Sequence, residues 1–315
     1  MRTVLALTLA ALLPAAALAD RMVTDDTGRS VAVPDSPERV VVLHEPLLGV
    51  PIADLGVAPV GSYGRDAGGG TLMSVDFYRE VLGNDAPRPP GVGALGNLDL
   101  ERLRMLHPDL ILGTEHDIDK ADQLSSVAPV YLQNASTGKV RGFGTEAALA
   151  RLLGREDVFA ARKDAYLGRV EAVRAALPDA PGTYLALFLT DQINAVGEMS
   201  GAVQAIEDLG YERLDLGTGG DRAGMGSTLL VPLSAEVVGR LDPDLLLVMN
   251  SYLGAGRDEA GIRAALDRIL PGWDRFLKPA REGRILFLDS AKVTTPTVAS
   301  AEHMLDAVET WAQGR

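Results

Sequence analysis

Two stretches of the chain carry the same residue types at the same spacing. Asp99-Leu100-Glu101-Arg102-Leu103-Arg104-Met105-Leu106-His107-Pro108-Asp109-Leu110 runs in register with Ser234-Ala235-Glu236-Val237-Val238-Gly239-Arg240-Leu241-Asp242-Pro243-Asp244-Leu245. Each has a capping residue, a glutamate two positions on, a leucine, then Pro-Asp-Leu and an apolar run. Asp or Ser at the cap accepts from the free amides of the first helical turn. A glutamate there is favoured by the helix dipole by a few tenths to ~1 kcal/mol, so one copy alone needs no function. Two copies in matching positions of the two halves mark Glu101 and Glu236 as a candidate functional pair.

A second set of residues lies where apolar runs end. Ligands of open α/β sheets gather beyond the carboxyl ends of the strands. The loops that begin at His44, Tyr63, Thr114, Asp191, Asn250 and Ser290 meet that criterion. Arg65, Arg222 and Lys292 are the cations they and the Gly217–Gly226 segment offer an anionic ligand, and Tyr63 and Tyr252 offer rings and hydroxyls. His116 is a further candidate for the ligand cleft, and Glu115, Asp191, Gln192, Arg257 and Met225 lie in the same segments. His116, beside Glu115, Asp117 and Asp119, is the one candidate for an oxygen-rich metal site. A dedicated zinc or manganese site draws several histidines from both halves. The chain has four, of which His107 and His303 read as structural, and no resident metal or cofactor is expected.

Enzyme chemistry has no visible carrier. The chain holds no cysteine, which excludes disulfides, thiolate metal sites, cysteine nucleophiles and a lipid-bearing N-terminal cysteine. Gly-x-Ser-x-Gly and His-Glu-x-x-His are missing, and Gly217 to Gly224 lacks the Gly-Lys-Ser/Thr ending of a phosphate loop. No catalytic residue is assigned.

The elements that must position these residues follow from the apolar pattern. Met22–Thr24 and Ser30–Val33 read as a hairpin turned at Asp26-Thr27-Gly28. Val40–Leu43, Val57–Val60, Leu110–Leu112 and Val130–Tyr131 read as strands, with helices at Leu47–Leu55, Leu100–Leu106, near Lys120–Val127 and at Thr145–Leu153. From Asp157 to Leu177 a helix of about 20 residues, roughly 30 Å long, carries an apolar stripe and ends at Pro178. Gly168 lies inside it. The pattern then resumes with strands at Thr183–Leu189, Leu245–Met249 and Ile285–Leu288, and helices near Ala202–Leu209 and from Ser300 to Trp311. The expected fold is α/β, two Rossmann-like lobes with mainly parallel sheets joined by one long rigid α-helix. Its divisions are 20–154, the connecting helix 155–178, and 179–315.

Residues 1–19 read as a cleavable secretion signal. Arg2 precedes an apolar run to Leu13, and Ala17-Leu18-Ala19 places small residues where a signal peptidase looks. The run is shorter than the roughly 20 residues a membrane span needs. The net charge is −13, and −14 once Arg2 leaves with the signal, which repels nucleic acid and anionic lipid. A soluble periplasmic product is expected.

With these motifs in place, the chain resembles the periplasmic binding proteins for iron–siderophore and vitamin B12 uptake. The resemblance rests on Val23-Thr24-Asp25-Asp26-Thr27-Gly28-Arg29, Arg39-Val40-Val41-Val42-Leu43, Ala53-Asp54-Leu55-Gly56-Val57-Ala58-Pro59-Val60-Gly61 and the two glutamate motifs. It implies a monomeric, non-enzymatic receptor that holds a ferric siderophore between its lobes and delivers it to an ABC importer. Glu101 and Glu236 would then meet arginines of the permease dimer. Haem and cobalamin are the other ligands of the group, and a secreted two-lobed hydrolase or metal-dependent enzyme is the reading from another class. The chain departs from the group at Ala94-Leu95, where hydroxamate binders carry an arginine and haem binders often a tyrosine nearby.

Overall fold

The computed structural model describes residues 20–314 apart from 95–96, 135–140, 178–179, 198–199, 215, 217–229 and 255. The secretion signal expected at 1–19 and the expected ligand residues Arg222 and Met225 lie outside the described residues.

The first lobe opens with a hairpin of β1 (Asp20–Thr24) and β2 (Ser30–Pro34). Asp25 ties its turn by accepting from the Thr27 and Arg29 amides at 3.0 and 2.9 Å. Gly28 adopts φ 89°, a conformation that side chains strain to reach. The sheet follows: β3 (Val40–Val42), β4 (Gly61–Ser62), β7 (Leu110–Thr114) and β8 (Val130–Gln133), all parallel in the order β4-β3-β7-β8. Between β4 and β7 a two-stranded ribbon joins β5 (Gly93–Ala94) to β6 (Asn97–Leu98). Every residue of β3, β7 and β8 is buried, as continuous apolar runs require of strands covered on both faces. The covering helices are α1 (Val50–Asp54), α2 (Phe77–Leu82), α3 (Leu100–Met105), α4 (Ala121–Ser125) and α5 (Gly144–Leu153).

The expected strand at Val57–Val60 falls one step later, at β4. Pro59 has no amide to give a ladder, and Val60 donates once, to Val40. The expected helix at Leu47–Leu55 begins as a π-helical turn, Glu45–Gly49, with α1 continuing from Val50. Helix α5 starts one residue before Thr145, the expected cap, and ends at Gly154, which is left-handed at φ 63°.

Helix α6 (Glu156–Ala176) runs unbroken through Gly168. It is more than a strut. Its buried Tyr166, Val170 and Val173 belong to the second lobe's core, and Phe159 packs against the cores of both lobes. The second lobe's sheet comprises β9 (Thr183–Leu189), β10 (Ile193–Val196), β11 (Glu212–Arg213), β12 (Leu230–Leu233), β13 (Leu245–Asn250) and β14 (Ile285–Phe287). Strands β9, β13 and β14 are parallel, whereas β10 and β12 form an antiparallel edge. Its helices are α7 (Gly201–Asp208), α8 (Ala235–Arg240), α9 (Glu259–Ile269), α10 (Trp273–Phe276), α11 (Lys278–Arg281), α12 (Ser290–Val293) and α13 (Val298–Gln313).

The repeated motif does the same work in both lobes. Asp109 accepts from the Glu38 and Arg39 amides at 2.7 and 2.9 Å, fastening the approach to β3 beside β7. Asp244 accepts from the amide and hydroxyl of Thr183 at 2.7 and 2.9 Å, fastening the start of β9 beside β13. Arginines complete each clamp: Arg39 donates to the His107 carbonyl at 2.9 Å, and Arg284 to the Pro243 carbonyl at 2.8 Å. The Pro-Asp-Leu spacing thus sets a short helix against a pair of central strands twice over.

Candidate functional site

The carboxyl ends of the parallel strands carry most of the expected ligand residues. Beyond β3, the Nδ1 atom of His44 accepts from the Leu47 amide at 3.2 Å and caps the π-helical turn. Burial pulls the His44 imidazole down to about 4, with Asp117 and Glu115 pulling back and His116 adding to the fall. It is therefore neutral at physiological pH, and with Nδ1 accepting, its proton sits on Nε2. Beyond β4, Tyr63 is half-buried against the core on one face of the first sheet. Beyond β7, Thr114 and Asp117 close a capping box on the 3-10 turn Glu115–Lys120. This turn holds His116 outward, its side chain 71% exposed and 3.8 Å from the Glu115 carboxylate. Among the described residues no cluster of three or more histidines and acids has metal-holding geometry, so the oxygen-rich site around His116 is not assembled.

Arg65 is the main correction. Expected as a ligand cation, it is wholly buried and internally neutralised. Its Nε donates to Glu45 at 2.6 Å, Nη2 to Asp76 at 2.5 Å and to Glu45 at 3.0 Å, and Nη1 to the Gly69 carbonyl at 2.7 Å. Burial opposes its charge, yet the two carboxylates outweigh that and hold the guanidinium protonated beyond its usual range. Glu45 shifts upward, with burial winning over Arg65's hydrogen bond and charge. Glu45 also accepts from the Phe77 amide at 3.1 Å, and Asp76 caps the same helix. The group is a brace for α2, and it leaves no donor for a ligand.

Beyond β8 a cavity of about 330 Å³ is lined by Asp26, Gln133, Asn134, Arg141, Gly144, Ala148 and Arg151. Asp26 accepts from Gln133 at 2.6 Å and from the Asn134 amide at 2.8 Å. The buried Gln133 Oε1 has no hydrogen-bond partner among the described residues. Sequence reasoning missed this corner, because Asp26 reaches it from the hairpin, more than 100 positions away.

On the second lobe, Asp191 and Gln192 occupy an exposed turn between β9 and β10. Tyr252 packs edge-on against Phe77 of the first lobe at 5.1 Å and Phe188 of the second at 5.9 Å. Burial raises its hydroxyl's pKa. Arg257 bridges Glu80 of α2 and Asp289, the cap of α12, each at 3.3 Å. Both side chains therefore serve lobe-to-lobe contacts. Lys292, half-buried in α12, makes no ion pair or side-chain hydrogen bond among the described residues. Of the three expected cations, it is the one in the described residues that keeps its charge uncommitted.

Glu101 and Glu236 stand exposed on α3 and α8. Asp99 and Ser234 cap these helices by accepting from the Arg102 and Val237 amides at 3.0 and 3.2 Å. The two copies differ one turn on. Glu236 pairs with Arg240 at 2.8 Å, whereas Glu101 has the exposed Met105 at that position and no ion pair among the described residues.

The profile of the family described as periplasmic binding protein matches residues 74–291, well over half of the chain. The chain belongs to this family. Its members are binding proteins rather than enzymes, and the family's place is the periplasm or its extracytoplasmic equivalent. No helix among the described residues is long and apolar enough to cross a membrane. No curated protein sequence matches the chain. Solved structures do. The siderophore-binding protein BauB, bound to ferric iron and two acinetobactin molecules, is 20% identical with a TM-score of 0.65, covering 94% of this chain and 99% of that one. The petrobactin-binding protein YclQ of Bacillus subtilis is 17% identical with a TM-score of 0.67, covering 93% and 99%. The periplasmic catecholate-siderophore binding protein VctP of Vibrio cholerae is 18% identical with a TM-score of 0.65, covering 92% and 99%. At these identities the shared property is the two-lobed fold.

Proposed function

We propose that this binding protein captures a ferric siderophore between its lobes and delivers it to an ABC importer. The observation that carries the reading is the fold shared over nearly the whole chain with siderophore-binding proteins, BauB with its ferric complex among them. Residues 1–19 act as the secretion signal, and Glu101 and Glu236 dock on the permease dimer. The iron arrives as cargo inside its chelate. Within the cleft, Lys292 supplies charge to an anionic chelate, and Tyr63 and His116 offer a ring, a hydroxyl and an imidazole. Arg222 is a further candidate cation. Tyr252 and Arg65 contribute by holding the two walls in place.

The test is a fluorescence and absorbance titration of the protein from Asp20 onward against ferric catecholates, ferric hydroxamates, ferric citrate, haem and cobalamin. Submicromolar saturation by one ferric chelate, without turnover, is the expected result. Saturation only by haem or cobalamin would move the cargo to the other branch of the group, and product formation would restore the enzyme reading. Lys292→Ala should weaken an anionic chelate about tenfold, the worth of one charge-assisted hydrogen bond. An unchanged Kd would remove Lys292 from the site.

A further inference from the structure

The last helix of the chain begins against two acids from the opposite lobe. Thr297 caps α13, and the next two amides are taken from across the junction. Glu146 Oε2, from α5, accepts from the Val298 amide at 2.8 Å, and Asp54 Oδ2, at the end of α1, accepts from the Ala299 amide at 3.0 Å. Two acceptors on successive amides of one helix stand side by side. Glu146 is wholly buried, and its other oxygen, Oε1, has no partner among the described residues that could donate to it. The Asp54 side chain is 4% exposed, and its other oxygen meets Arg162 of α6 at 2.7 Å.

The charges around the pair do not balance if both acids are ionised. Arg162 is the facing cation, and it is shared with Glu302 of α13 at 3.4 Å. Two buried carboxylates in contact cannot both keep a negative charge at low cost, and such pairs hold one proton between them. The orphan oxygen says where that proton sits. Asp54 is already matched to Arg162, so Oε1 of Glu146 is the free position, and as a hydroxyl it donates to Asp54. Burial is the largest influence raising the Glu146 carboxyl well above its ordinary value, followed by the charge and hydrogen bond of Asp54. The Val298 amide and Arg162 oppose the rise.

We infer that Glu146 and Asp54 form a proton-binding lock that fastens the first lobe to the start of α13. The bound proton joins the two carboxyl groups, and its loss sets two negative charges against each other at the junction. This inference does not depend on which cargo the cleft takes. A carboxyl whose pKa is higher in the folded chain than in the unfolded chain stabilises fully below its unfolded value. That stabilisation is lost as pH rises through the folded value. The lock therefore favours the joined lobes in acid and loosens toward alkaline pH.

The experiment is infrared difference spectroscopy of the cargo-free protein with thermal melts across the same pH range. At neutral pH the spectrum should contain a protonated-carboxyl carbonyl band that is missing in Glu146→Gln. The glutamine keeps the acceptor for Val298 and offers an N–H to Asp54, so the variant should fold. The wild-type melting temperature should fall with rising pH by about 2–4 °C per unit more than that of Glu146→Gln, the slope of one proton. No protonated-carboxyl band in the wild type at neutral pH would overturn the inference, whatever the variant does. Equal pH slopes in the two proteins would overturn it as well.

Discussion

A protein carrying Glu101→Ala and Glu236→Ala together should bind its ferric cargo with unchanged Kd and yield background uptake in vesicles bearing its importer. Both glutamates are exposed on six-residue helices outside the loops proposed for the cargo, and their removal breaks one surface pair, Glu236 with Arg240. Such a pair is worth little, because solvent already screens it, so stability should not change measurably. At a docked interface the same carboxylates lose water against their partners, and truncating one costs about 2–5 kcal/mol, or thirtyfold upward in affinity. The single variants should differ. Glu101 is uncommitted and has the exposed Met105 one turn on, whereas Glu236 must exchange Arg240 for its new partner. Uptake retained by the double variant would end the docking assignment and leave the cargo assignment standing.

Arg65→Met should destabilise the protein by about 3–5 kcal/mol, read as a fall in the urea midpoint. The methionine fills much of the same volume but leaves Glu45 buried without its counter-charge, and breaking a buried pair from one side carries that penalty. Asp76 loses its partner too, although its side chain, at 24% exposed, recovers some water. The deficit should shrink in acid. Burial already raises the Glu45 carboxyl, and without Arg65 it rises further, so protonation removes the stranded charge as pH falls. Glu45→Gln added to Arg65→Met should recover part of the loss at neutral pH. A ligand-contacting arginine would behave otherwise, with an unchanged midpoint and a weakened Kd.

The alternation of strands and helices, the long connecting helix and the paired glutamate motifs were legible because each is local. Val40–Val42 and Leu245–Asn250 are continuous buried runs, and the apolar stripe of α6, from Phe159 through Tyr166 and Val170 to Val173, spans about four turns. The role of Arg65 was not legible. Its partners stand 20 positions before it and 11 after it, and nothing in their spacing says that α2 folds over them. Helix α2 itself is short and flanked by turn residues, yet it meets the second lobe through Phe77, Glu80 and the Val81 carbonyl, which His303 contacts at 2.9 Å. Tyr252 and Arg257 were rightly placed after β13, but a loop position alone cannot say whether a side chain faces a ligand or the opposite lobe. The antiparallel edge of β10 and β12 was hidden for a related reason. A strand's direction in its sheet is a property of its neighbours.

The position of α13 after every element of the first lobe has a consequence for the order of assembly. Every strand of the first lobe's sheet is complete by Gln133, and the acids of α1 and α5 precede their amides on α13 by well over a hundred residues. A growing chain can therefore close that sheet while Asp54 and Glu146 still face water as ordinary carboxylates. Val50, Phe77 and Val81 gain their cover from Ala299 only when α13 arrives. Until then the flank is an open apolar patch of the kind that chaperones and proteases recognise. A chain cut before Val298 should thus be degraded despite a well-formed first half. Helix α13 closes the junction between the lobes as a keystone closes an arch, and quality control in the cell would read its absence first.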